Sequence, residues 1–226
     1  MRIIARFEKG GHARFLSHLD VLRMFHRAFR RAGIPISYSE GFNPHPLLSF
    51  AAALAVGYTS ESEWLDAKLE RDIEISEFMR SLNDSLPCGF RLTQCFAAEE
   101  RLPSLTKLMC AAEYIISLSY NEREFPSKLE TAAEKLMSNN IFVKKRSKSG
   151  FKIVDIRPLV YDIHVETLGE GEIALSVTGC LNSSESLNIG LLLDSLFQIA
   201  GKPETVFVHR RRIYSDDGTI LPKFGG

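Results

Sequence analysis

The sequence has little of several things, and each shortage closes off a class. Tryptophan occurs once. The four cysteines, Cys88, Cys95, Cys110 and Cys180, are scattered with no CxxC pair. That disfavours a zinc knuckle or an iron–sulfur site and fits reduced thiols in a cytoplasmic protein. No apolar run approaches the roughly 20 residues of a membrane span, so no membrane association is expected. The opening Met1-Arg2-Ile3-Ile4-Ala5-Arg6 meets charge at once and does not read as a signal peptide. Walker A, GxGxxG, HExxH and GxSxG patterns are missing. There is no net charge, with Lys+Arg 28 against Asp+Glu 28. That excludes a bulk polycation and an acidic tail protein. No cofactor is called for.

What is present is local. Residues 1–59 hold eight Arg/Lys and three Asp/Glu. Residues 60–110 hold six against ten. The stretch 141–157 carries Lys144, Lys145, Arg146, Lys148, Lys152 and Arg157 against Asp155 alone. Such patches bind polyanions through local field, whatever the total charge. Solvated faces balanced by nearby carboxylates are the plainer alternative.

The pattern of elements predicts an α+β fold. Residues 2–8 read as a strand ended by Gly10-Gly11. Ser17 caps a helix with Asp20 completing a weak capping box, and Gly33 and Pro35 stop it. On that helix Val21, Leu22, Phe25, Ala28, Phe29 and Ala32 share one face. Arg23, Arg27, Arg30 and Arg31 form a stripe on another. The run 47–56 reads as a buried strand and 63–70 as a half-exposed one, with Trp64, Asp66, Lys68 and Glu70 outward. A helix over 75–86 and a strand over 90–96 complete a βαββαβ, ferredoxin-like unit. The order then recurs: a strand at 114–118, a helix at 126–138, a strand starting at 141, a hairpin of 158–167 with 172–178, a helix at 188–200 and a strand at 206–213. The reading is two tandem ferredoxin-like halves with antiparallel sheets, 1–98 and 112–215. A connector spans 99–111 and a loose tail 216–226. The second half has a strand too many.

The densest polar segment is 6–46. Gly10-Gly11 lets the main chain approach a ligand closely. With the following helix N-terminus and Arg14 it could form a phosphate-sized anion site; a turn plus a capped helix explains the same residues. Two prolines stiffen Asn43-Pro44-His45-Pro46, and Phe42, Asn43 and His45 on such a loop suit base stacking and edge recognition. A stiff loop closing a core is the alternative. His18, Asp20 and His45 are the metal candidates, as two histidines and a carboxylate. His18 and Asp20 diverge by about 160° on the helix, which opposes a shared ion.

Three motifs read together resemble a known family. They are Arg14-Phe15-Leu16-Ser17-His18-Leu19-Asp20, Arg27-Ala28-Phe29-Arg30-Arg31-Ala32-Gly33-Ile34-Pro35, and Tyr38-Ser39-Glu40-Gly41-Phe42-Asn43-Pro44-His45-Pro46. Val56-Gly57-Tyr58-Thr59-Ser60-Glu61 and Val154-Asp155-Ile156-Arg157-Pro158 extend the likeness. It is similar to the radical-SAM-linked bacterial domain of unknown function. The resemblance implies a neighbour, a radical SAM protein with a cobalamin-binding-type domain, and no activity. This chain has no CxxxCxxC motif and so looks like the stand-alone partner.

The function expected is a non-catalytic RNA-binding or substrate-presenting partner of a radical SAM enzyme in RNA modification, acting on tRNA or rRNA. Arg14, Arg23, Arg27, Arg30 and Arg31 would hold phosphates, with Lys144, Lys145 and Arg146 extending the track. Phe42, Asn43 and His45 would contact a base or the partner. Two alternatives stay open. One is a protein-interaction module whose arginines meet an acidic surface of the radical SAM protein. The other is an RNA-processing enzyme, metal-dependent or metal-free.

Overall fold

The computed structural model describes residues 1–147, 150–218 and 220–225. The chain forms a mixed α+β structure divided into two compact units, Met1–Met109 with Ser215–Lys223, and Cys110–Tyr214 with Phe224–Gly226.

The first unit runs β1 (Arg2–Lys9), a 3-10 turn (Gly11–Phe15), α1 (His18–Arg31), β2 (Leu48–Phe50), β3 (Thr59–Lys68), α2 (Ile75–Ser85), β4 (Phe90–Ala98) and the short α3 (Leu105–Leu108). Its strands lie in the order β4-β1-β3-β2, each pair antiparallel. Alternation along β1 sends Ile3, Ala5 and Phe7 to one face, where they join Phe25, Phe29, Phe78 and Leu82 in a core. Phe7 meets Phe25 edge-on with ring centroids 4.9 Å apart.

Local chemistry sets both ends of α1. The Ser17 hydroxyl oxygen accepts from the Asp20 N–H at 3.3 Å and donates to the Asp20 carboxylate at 2.6 Å. At the other end Gly33 takes φ 65°. The Gly33 N–H donates to the Arg30 carbonyl at 3.2 Å and the Ile34 N–H to the Phe29 carbonyl at 3.1 Å. This is a Schellman closure, and Ile34 is buried against the core, as such a closure favours.

Two expectations fail in this unit. The run 47–56 is not one buried strand: pairing stops at Phe50, and the chain turns away before Gly57, leaving Val56 exposed. Nor is β3 half-exposed. On the face expected outward Trp64 is buried and Asp66 partly so, and only Lys68 in the strand is exposed. The cause is the segment after β4, which folds back over that face. Arg2 on the same face donates to the carbonyls of Leu102 and Pro103, and Leu105 is buried. The connector is therefore packed and carries a helix. The expected loose tail is also held. The Ser215 N–H donates to the Pro222 carbonyl at 2.9 Å, the Ser215 hydroxyl to the Leu221 carbonyl at 3.1 Å, and Leu221 is buried. Thr219 and Gly226 of that tail lie outside the described residues.

The second unit runs β5 (Met109–Ser119), α4 (Phe125–Ser138), β6 (Phe142–Ser147), β7 (Gly150–Asp155), a 3-10 turn (Arg157–Leu159), β8 (Val160–Gly169), β9 (Glu172–Cys180), α5 (Ile189–Ala200) and β10 (Thr205–Ser215). The sheet order is β10-β5-β9-β8, with β5–β9 and β9–β8 antiparallel. Ile116, Leu129, Leu136, Leu175, Leu192 and Leu196 are buried. The surplus strand resolves into a ribbon. The basic segment, expected as one strand, doubles back as β6–β7 and stays outside the main sheet. With that ribbon set aside, both units follow one element order and one strand order. Lys148, counted in the basic segment, lies outside the described residues.

Candidate functional site

The α1 face opposite the core is a basic surface. Arg23, Arg27 and Arg30 fall within about 60° of arc at 100° per residue, and with Arg31 they are exposed. Arg31 Nη2 donates to the Ser85 carbonyl at 2.6 Å. Arg23 Nη1 stands 3.6 Å from Asp20 Oδ1. Among the described residues, Arg27 and Arg30 have no hydrogen bond or ion pair. One Asp20 carboxylate oxygen accepts from the Ser17 hydroxyl at 2.6 Å. That hydrogen bond, and then Arg23 and Arg27, hold the Asp20 carboxyl below its ordinary range.

The loop after α1 is closed and its tip is bare. The Ser37 N–H donates to the Lys68 carbonyl at 2.8 Å, and the Leu47 N–H to the Ser37 carbonyl at 2.8 Å. A second rung pairs Tyr38 with Pro46. Above it the Ser39 N–H donates to the His45 carbonyl at 2.9 Å, while the Ser39 hydroxyl meets His45 Nδ1 at 2.8 Å. Gly41 takes φ 120°, a conformation that a side chain would strain. Phe42, next to it, is fully exposed at 106%, and Asn43 and His45 are exposed too.

His26 lies on the same helix. Burial, and then the charge of His45, push the His26 imidazole below its usual pKa. The His26 Nε2 atom is buried without a partner. On a helix, residue 26 neighbours 23 and 30. His26 is thus beside the arginine row on the helix, and its imidazole feels His45 electrostatically.

Other expected residues lie elsewhere. The Arg14 guanidinium sits 4.8 Å over the Phe15 ring, on the 3-10 turn. The proposed phosphate cradle does not form: the Gly10 N–H donates to the Gly89 carbonyl at 2.8 Å, and Ser17 caps the helix with an acid in its first turn. The metal set does not assemble either. His18 lies edge-on to Phe50 at 5.6 Å, Asp20 turns to Ser17 and His45 to Ser39. Among the described residues no three His, Cys, Asp or Glu side chains are placed to hold a metal. Lys144, Lys145 and Arg146 are exposed on β6, in the second unit.

The sequence reading missed an open pocket of about 430 Å³ in the first unit, lined by Arg2, His45, Ser49, Asp66, Lys68 and Glu100 among others. Arg2 grips Asp66 bidentately, with Nε–Oδ1 3.0 Å and Nη2–Oδ2 2.6 Å. Lys68 pairs with Glu100 at 3.1 Å. Period-2 alternation puts Asp66 and Lys68 on one face, but only the register that sets Arg2 against Lys68 shows the pairing.

Fold and surface thus define an α+β protein with a basic helix and an aromatic-tipped loop in its first unit. Residues 2–189 match the family described as "Uncharacterized protein conserved in bacteria (DUF2344)", and the chain belongs to that family. No curated protein matches it. Among solved structures, a chain in the crystal structure of a Cbf5-Nop10-Gar1 complex is similar at a TM-score of 0.55 and 10% identity, over 93% of this chain and 48% of that one. A chain of an H/ACA RNP bound to a substrate RNA containing 2'-deoxyuridine is similar at 0.48 and 10%, over 93% and 47%. This chain spans about half the length of the solved chains it matches. At these identities the likeness is one of fold. Among the described residues no helix is long and apolar enough to cross a membrane.

Proposed function

We propose that this protein is an RNA-binding or substrate-presenting partner of a radical SAM enzyme that modifies tRNA or rRNA, and that it performs no chemistry itself. One observation carries the RNA reading: Arg27 and Arg30 stand exposed on a rigid helix and, among the described residues, make no hydrogen bond or ion pair, while the closed loop of the same unit bares a phenylalanine. Guanidinium groups suit phosphate oxygens geometrically. A rigid helix holds them in register at little entropic cost. An exposed ring in the same unit gives an unstacked base a platform. The radical SAM partner rests on the motif resemblance alone. The description as two ferredoxin-like halves rests on the shared strand order of the two units. Arg14 and the Lys144–Arg146 run stand outside this helix-and-loop face.

The test is anisotropy titration of labelled tRNA and rRNA fragments with wild type, Arg27→Glu/Arg30→Glu and Phe42→Ala. All three sites are exposed, so the variants should fold. The reading expects binding at low salt, near-complete loss in the double variant and about tenfold weakening in Phe42→Ala. No binding at low salt, or binding untouched by the double variant, removes the RNA claim. A stable complex with the radical SAM protein that is free of RNA would instead favour the protein-interaction reading.

A further inference from the structure

The β6–β7 ribbon presents a face that the charge count alone does not show. Register pairs Phe142 with Asp155, Lys144 with Ile153 and Arg146 with Phe151. Directly paired residues share a face, and so do residues two apart. One face thus carries Phe142, Lys144, Arg146, Phe151 and Ile153, with Asp155 at its base beside Phe142. Phe142, Phe151 and Ile153 are 68%, 64% and 77% exposed. Large apolar side chains that exposed, and clustered, mark an interaction surface.

The ribbon is not free to bury this face on its own unit. Its base is fixed the other way round, with Val143 buried beside Ile141 and Ile156. The base is also locked by Asp155, whose carboxylate accepts the N–H groups of Ile141 at 2.9 Å and Arg157 at 3.0 Å and a side-chain N–H of Asn140. Those three hydrogen bonds tie the carboxylate to the base of the ribbon. Lys144, Lys145, Arg146 and Lys152 are exposed and, among the described residues, make no ion pair. Lys144 Nζ lies 4.5 Å above the Phe151 ring, so cation and ring are held together.

We infer that the β6–β7 ribbon is a platform for single-stranded RNA, with Phe142 and Phe151 stacking on bases while Lys144, Arg146 and the flanking lysines meet phosphates. It rests on the RNA reading above and places a contact surface for it on the second unit. Along the face Phe142 and Phe151 stand at opposite ends, about 14 Å apart at four residues of strand, with Lys144 and Arg146 following Phe142 along β6. A single strand offers bases for the separated rings and phosphates for the cations between and beside them. An anionic lipid surface suits it less well. Membrane insertion needs the apolar groups gathered at the tip, and here only Phe151 lies near the tip, paired with Arg146, while Ile153 lies mid-ribbon and Phe142 at the base.

The test uses the full chain and a short fluorescein-labelled oligouridylate. Phe142→Ala and Phe151→Ala should each weaken binding about tenfold, with an unchanged circular dichroism spectrum, since both rings are exposed. Phe151→Trp should keep the affinity and show fluorescence quenched on titration. A duplex of the same length should bind more weakly and ignore the ring substitutions. Ring variants that bind like wild type overturn the inference. So does ring-dependent binding to phosphatidylserine vesicles without binding to oligouridylate. Arg27→Glu/Arg30→Glu separates the two proposals. Loss there with indifferent ring variants sinks the ribbon and keeps the helix. Loss in the ring variants alone does the reverse.

Discussion

Gly89 and Gly33 offer a paired experiment on how the arginine helix is held. Both have positive φ, 92° and 65°. An added Cβ at Gly33 meets nothing within 4 Å. At Gly89 it would lie 2.6 Å from the Gly10 carbonyl oxygen and 2.9 Å from Ala13 Cβ. Gly33→Ala therefore carries only the backbone penalty, about 1 kcal/mol. Gly89→Ala adds a clash with main chain that cannot rotate away, for a total of about 3 kcal/mol. The clash falls on the 3-10 turn leading to Ser17, and the Gly10 N–H donates to the Gly89 carbonyl at 2.8 Å. Both substitutions stiffen the unfolded chain alike, so their difference isolates the close approach. Thermal melts should show Gly33→Ala lowered by about 2–4 °C and Gly89→Ala by about 6–12 °C. Equal losses would refute the packing of β4's entry against the turn before α1.

Three further outcomes follow from named contacts. Ser17→Ala should cost about 1 kcal/mol in denaturant unfolding. It should also flatten the acid limb: the Asp20 carboxyl is depressed first by Ser17, so its stabilisation is present above the ordinary carboxylate pKa and fades as pH falls through the lower folded value. An acid limb identical to wild type contradicts this. Asp66→Ala should cost about 2–3 kcal/mol, because it strands the half-buried Arg2 guanidinium beside the connector; a loss under about 0.5 kcal/mol would mark the pair as surface-like. A thiol reagent should modify exposed Cys88 in the native protein at once. Cys180 is buried and the Cys95 thiol is pushed up to about 12 by burial, so both should wait for unfolding. A native fast phase that survives Cys88→Ala would contradict that placement.

Helix α1 was readable because its signals are local: Ser17 with Asp20 at one end, Gly33 with a buried Ile34 at the other. The β8–β9 hairpin was readable for the same reason, from Gly169-Glu170-Gly171. The failures share a cause in distant partners. Alternation in β3 suggested a wet face, yet Asp66 is tolerated there because Arg2 neutralises it and the connector returns over it. The phosphate cradle failed because Gly10 is claimed by Gly89, remote in sequence. The β6–β7 ribbon left one unread clue, Gly150 at φ 116° inside a serine- and lysine-rich run, which is a turn signal.

The central claim is that the exposed guanidinium groups of α1 grip phosphates. The direct measurement is the slope of log binding constant against log salt for a tRNA, in wild type and in Arg27→Gln/Arg30→Gln. Losing two phosphate contacts should make the slope shallower by about 1.4. Parallel lines, with affinity lost equally at every salt concentration, would contradict phosphate contact by these side chains.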